Sequence, residues 1–149
     1  QFSFQPGQLD TIQHTFIALF QMMIGNTDWD INPIRNLKLI QNSQREALVL
    51  IPYDFDFSAW VSAPYAVPRT DLGQNNLQQP IFQGITQSTS VLRPVTKLFR
   101  SHRKAVLKVV DDFDLLSKQE KGPLMRQLRQ FFRMLETPEE LLTYQAIGL

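Results

Sequence analysis

The run Ala47-Leu48-Val49-Leu50-Ile51-Pro52-Tyr53-Asp54-Phe55-Asp56-Phe57-Ser58 decides how this chain is read. Its first five residues are continuously apolar and rich in strand formers, so they predict a β-strand that hands the chain directly to Pro52-Tyr53-Asp54. Upstream lies a second short apolar run, Leu37-Lys38-Leu39-Ile40, separated from the first by the polar Gln41-Asn42-Ser43-Gln44-Arg45-Glu46. The pair predicts a β-hairpin with a longer connection. A hairpin folds back on itself, so the loop entering its first strand and the loop leaving its second come to lie side by side. The entering loop begins Gly25-Asn26-Thr27-Asp28-Trp29-Asp30 and ends at Asn36. Asp28, Asp30, Asn36, Asp54 and Asp56 are therefore expected to converge.

Working outward, residues 9–24 place Ile12, Phe16, Leu19, Phe20 and Met23 at helical spacing, with Asp10 near the start and Gly25 where a left-handed cap residue sits. A core-facing helix ending at Gly25 is predicted. Residues 62–90 are rich in Pro, Gln, Asn, Ser and Thr and predict a long irregular excursion, the kind of loop that often carries function. From Leu92 onward the pattern is helical, in one stretch through Leu116 and another holding Leu124, Leu128, Phe131, Phe132 and Leu135. Ser117-Lys118-Gln119-Glu120 and Thr137-Pro138-Glu139-Glu140 both fit a capping box, which sets helix starts near 117 and 137. The predicted class is α+β, mainly helical, and no internal repeat is present.

The 149 residues, 43% hydrophobic, suit one domain covering 1–149 with a genuine core. The net charge of +1 hides an asymmetry: residues 1–90 hold seven acids against four bases, and residues 91–149 eleven bases against seven acids. That distribution suits a cation together with a phosphorylated ligand, and equally two ordinary solvated faces. The absence of cysteine excludes disulfides and thiolate metal sites and leaves the compartment open. No apolar run reaches the length of a membrane span and no signal segment opens the chain, so no transmembrane segment is expected.

Clustered carboxylates raise one another's pKa unless a cation offsets them, and an all-oxygen set of Asp and Asn suits Mg²⁺, Mn²⁺ or Ca²⁺ in preference to zinc. The plainer alternative is that Asp28 and Asp30 cap turns, Asn36 satisfies a strand edge, and Asp54 or Asp56 pairs with an arginine.

Residues 23–30, Asn36-Leu37-Lys38-Leu39-Ile40 and residues 51–58 together resemble the catalytic core of atypical kinase-like proteins of the spore-coat CotH and HipA type. They resemble still more closely an uncharacterised group of bacterial proteins sharing Tyr-Asp-Phe-Asp-Phe-Ser and the following Ala63-Pro64-Tyr65-Ala66. The resemblance covers residues 20–68, and it implies a kinase-like C-terminal lobe. It assigns Asp28 or Asp30 as the catalytic acid, Asn36 and Asp54 as nucleotide- and metal-binding residues, and Asp56 as a further metal ligand in place of the glycine of the Asp-Phe-Gly motif. The implied cofactors are Mg²⁺ or Mn²⁺ and ATP, and the implied partner is a hydroxyl acceptor. Two departures stand out. Asn36 lies eight residues after Asp28 and six after Asp30, where protein kinases space these residues by five. The chain also holds no Gly-rich phosphate loop and no strand lysine paired to a helix glutamate, so either an N-terminal lobe is expected upstream of Gln1 or the family uses the lower lobe alone for something else; an exposed lobe interface would favour self-association.

Other features point to less. His14 and His102 lack a third ligand and the spacing of a zinc site. The run Arg93, Lys97, Arg100, Arg103, Lys104 and Lys108 could bind phosphate groups or an acidic partner, or form a solvated helix face; no nucleic-acid-reading motif accompanies it, and no nucleic-acid partner is expected. Trp29 and Trp60 could stack on a ligand ring or simply pack. Three functions are thus left in competition: a phosphotransferase fragment, an inactive pseudokinase-type binding or scaffold module, and a metal-dependent hydrolase, the last lacking an evident general base.

Overall fold

The computed structural model describes residues 6–41, 47–85 and 87–144. The described residues form an α+β arrangement of four α-helices and two small antiparallel sheets, with short 3-10 turns at Pro6–Gln8, Thr70–Leu72 and Pro138–Tyr144. Helix α1 spans Thr11–Ile24. Its start is fixed by Asp10, whose carboxylate accepts from Gln13 N at 3.0 Å. Its end is fixed by Gly25, at φ 67°, whose N–H returns to the last turn.

The buried face of α1 differs from the expected one. Leu19 and Met23 are buried and Phe20 half-buried, but Ile12 and Phe16 are exposed, and the core side is formed by Ile17, Ala18, Leu19, Met22, Met23 and Ile24. The helix is wrapped from several sides at once, by the second strand of the main hairpin and by two later helices, so the buried arc widens and rotates toward its C-terminal half. Phe16 stays at the rim, stacked on Phe99 with ring centroids 4.9 Å apart.

A miniature hairpin, β1 Asp30–Ile31 with β2 Ile34–Arg35, follows the helix; the sequence pattern had placed only loop there. The main hairpin is the expected one, β3 Leu37–Gln41 with β4 Leu48–Pro52, in the register Leu37↔Pro52 to Gln41↔Leu48. The connection at 42–46 lies outside the described residues. The outer edge of β4 does not face water. Gln13 of α1 accepts from Leu50 N at 3.0 Å and donates to Leu50 O, and Asp10 N donates to Leu48 O at 2.9 Å. An amide side chain and the helix entry thus cover an edge that would otherwise invite pairing.

The excursion expected over residues 62–90 is present through residues 62–85 and 87–88, and its last two residues already belong to the next helix. The helical stretch beyond it is two helices, α2 Thr89–Ser101 and α3 Arg103–Asp111, where the sequence pattern predicts one. The break falls at His102, with φ −98° and ψ 4°. There the Ser101 hydroxyl donates to Leu98 O at 2.7 Å, and the His102 ring lies 2.9 Å from the same carbonyl, so side chains compete with the helical ladder. Helix α4, Lys118–Met134, begins with both arms of the Ser117/Glu120 capping box formed. At 137 the chain does start a new element, but as the 3-10 turn, with Glu140 N bonded to Thr137 O at 3.0 Å. The core joins Leu19, Trp29, Leu50, Phe82, Leu92, Leu128, Phe131 and Phe132. No helix among the described residues is long and apolar enough to cross a membrane.

Candidate functional site

The two acidic segments are fastened together by two backbone bonds. On one side Ala59 N donates to Gly25 O at 3.1 Å; on the other, Tyr53 N donates to Asn36 O at 3.1 Å, one residue beyond the paired strands. The first contact explains Gly25 beyond its backbone angle, because a Cβ there would stand 2.6 Å from the Ala59 Cβ.

Within the first segment, local bonds shape the loop before any partner arrives. Asn26 is buried, donates to Gln21 Oε1 at 3.0 Å and accepts from Asp28 N at 3.0 Å, an Asx turn that aims Asp28 outward. Trp29 is 1% exposed and its carbonyl accepts from the Gln83 side chain, so this tryptophan anchors the loop and offers no stacking face. Asp30 turns away: its carboxylate accepts from Asn32 N at 3.1 Å at the tip of the small hairpin.

Asn36 closes the arrangement. At φ 52° it occupies left-handed space, which Asn tolerates better than most residues. Its carboxamide donates to Asp28 O at 2.7 Å and to Asp28 Oδ2 at 2.9 Å, while Arg35 Nε lies 3.4 Å from Asp28 Oδ1. The small hairpin accommodates the long interval between Asp28 and Asn36 by bulging out of the loop. Of the two candidate acids, Asp28 meets Asn36, and Asp30 serves a turn.

The second segment alternates. Phe55 packs edge-on against Phe20, with centroids 5.8 Å apart, and lines an apolar groove of about 440 Å³ with Trp60, Met23 and Val106. Phe57 lies against Tyr65 at 5.4 Å. Between these aromatics, Asp54 sits at φ 62° and is exposed beside Asp56. A side-chain hydrogen bond with Asp56 that requires a shared proton, followed by the charges of Asp56 and Asp28, holds the Asp54 carboxyl above the ordinary carboxylate range. Asp56 moves the opposite way, held below that range chiefly by the Tyr65 hydroxyl, which donates to its Oδ2 at 2.9 Å.

Arg69 and Gln74, which sequence reasoning missed along with the role of Tyr65, complete the surroundings. Arg69 donates through Nη1 to Thr27 O at 3.1 Å, grips Asp71 at 2.6 Å, and feels the charges of Asp30 and Asp28. Gln74, fully buried, accepts from both Arg69 N and the Thr27 hydroxyl. Tyr65 and Arg69 both belong to the irregular excursion, where no periodicity marks a residue as important. The available signal was the Ala63-Pro64-Tyr65-Ala66 segment of the resemblance.

Asp28, Asn36, Asp54 and Asp56 thus form one acidic corner, and Asp30 stands beside it. Among the described residues no three His, Cys, Asp or Glu side chains stand close enough to cage a metal ion by themselves. The donors are hard oxygens, the type that Mg²⁺ prefers over nitrogen or sulfur, and Mg²⁺ commonly takes only one or two carboxylates from a protein. Compared with protein-family models, curated proteins and solved structures, the chain matches none.

Proposed function

We propose that this acidic corner is the metal- and phosphate-facing end of a kinase-like phosphotransferase. The observation that carries the reading is the meeting of Asn36 with Asp28, next to Asp54, from positions 28, 36 and 54 of the chain. Phosphoryl transfer asks a protein mainly for positioning and charge neutralisation; an oxygen-rich set at the end of a hairpin would supply the positioning and hold the cation that supplies the neutralisation. Asp54, with the Asn36 amide oxygen and Asp56, would hold the cation that accompanies a nucleotide's phosphates; that cation supplies neutralisation of the charge developing on the transferred group. Asp28 would orient the acceptor hydroxyl and take its proton, its carboxylate fixed by Asn36 and tempered by Arg35. Arg69 adds positive potential to the same side.

A second reading has one observation in its favour. The Asp28 carboxylate is already engaged by both Asn36 and Arg35, as expected of a binding or scaffold module that kept the corner for structural reasons. Calorimetric titration of ATP with Mg²⁺ separates the two. The phosphotransferase reading expects binding that needs the metal and is abolished in Asp54→Ala, together with retained binding and lost transfer in Asp28→Asn. Absence of binding by the folded protein, or binding indifferent to Asp54, would leave the scaffold reading standing.

A further inference from the structure

The basic run that begins at Arg93 is divided by the break at His102. Lys104 and Lys108 continue along α3, where Lys108 pairs with Asp112 at 2.6 Å. Arg93, Lys97, Arg100 and Arg103 instead line one side of a cleft of about 870 Å³, closed opposite by the end of α4 and the Pro138–Tyr144 turn, which bring Glu136 and Glu139. No residue of the acidic corner contributes to it.

The cations of this cleft are unequally engaged. Arg93 is bonded to Glu139 at 2.9 Å, a bridge that ties the C-terminal turn to α2. Lys97, Arg100 and Arg103 have no acidic partner among the described residues. Arg103 is held in place by another means, with its guanidinium 5.8 Å over the ring of the buried Phe132. A solvated helix face is convex and lets like charges spread into water. A concave wall of cations with low-dielectric backing concentrates potential and raises the local anion concentration.

We propose that this cleft binds an oligophosphate group, two or more linked phosphates, through Lys97, Arg100 and Arg103. Lys97 and Arg100 are neighbours on one helix face, with Cβ atoms roughly 5–6 Å apart. Arg103 adds a third cation past the helix break, so the set is a row that offers each successive phosphate its own donor. A point cluster around one phosphate would need the cations to turn inward on a single centre. Glu136 repels anions from the opposite wall and confines the ligand to the cationic side. Guanidinium and ammonium donors to phosphate are charge-assisted bonds, stronger than neutral ones.

The test is calorimetric titration of sodium tripolyphosphate in chelator-containing buffer, with orthophosphate as comparison. Wild-type protein should bind tripolyphosphate at least about tenfold more tightly than the Lys97→Gln/Arg100→Gln double variant, which loses two charge-assisted donors. The control Arg126→Gln/Arg129→Gln, which removes two exposed charges of α4 outside the cleft, should bind as wild type. All four side chains are exposed, and thermal unfolding verifies that each variant remains folded. No binding, equal weakening by the control pair, or orthophosphate binding as tight as tripolyphosphate would each overturn the proposal. Because metal is chelated and Asp54 is untouched, these outcomes are independent of the acidic corner.

Discussion

Lowering the pH should destabilise this protein through one buried imidazole, His14. The ring is 1% exposed, and burial alone pushes its pKa down from 6.5 to about 4. Nε2 faces Ile85 N at 3.5 Å, which places the proton on Nδ1, a buried atom with no hydrogen-bond partner among the described residues. The folded state thus favours neutral imidazole, while the unfolded chain takes up its proton near pH 6.5. Between those values the unfolded state binds more protons, so stability falls as pH falls. The contribution is fully present above pH 6.5 and is lost progressively down to about pH 4. A displacement from 6.5 to about 4 corresponds to about 3 kcal/mol at 1.36 kcal/mol per unit. That is a large share of the roughly 5–15 kcal/mol that holds a typical domain together. Urea unfolding of wild type and His14→Gln across this pH range isolates the effect, since the carboxylates common to both cancel. The wild type should lose about 3 kcal/mol more than the variant on going from neutral pH to pH 4. Parallel curves would refute the assignment of the acid sensitivity to His14.

Two further perturbations probe the frame around the corner. Gly84, at φ 118°, would place an alanine Cβ 2.9 Å from His14 Nε2 and 3.2 Å from the Trp29 ring. Gly84→Ala should therefore cost roughly 2–3 kcal/mol and lower Tm by roughly 5–10 °C, read by calorimetry, and an unchanged Tm would contradict the packing described. Asn36→Ala removes two donated bonds to Asp28 and leaves a residue ill suited to φ 52°. It should cost roughly 1–3 kcal/mol by urea denaturation, and a loss below about 0.5 kcal/mol would remove the amide from the account of how the corner is held.

Much of the local architecture is written in short-range sequence. Asp10 and Gly25 bound α1, Ser117 and Glu120 start α4, and the two apolar runs pair as β3 and β4, because caps and hairpins depend on residues within a few positions of one another. The hairpin was the ground for expecting Asp28, Asp30, Asn36, Asp54 and Asp56 to converge, since antiparallel pairing brings the flanking loops together; Asn36 bonds Asp28 and the charge of Asp28 reaches Asp54, while Asp30 is taken up by its own turn. Tertiary packing decided the rest. Which arc of α1 is buried depends on what covers it, and Ile12 and Phe16 lost to residues nearer the helix end for that reason. That Asn36 bonds Asp28 and not Asp30 follows from the small β1–β2 hairpin and the left-handed turn at Asn36, conformations that residue type permits but does not dictate. Arg69 and Tyr65 reach the corner from an excursion with no periodic pattern, and the basic run became one wall of a cleft because a single break at His102 and a returning C-terminal turn folded over it. Contacts within a turn of chain are fixed by neighbours in sequence, whereas contacts across the fold are fixed by which surfaces must leave water together.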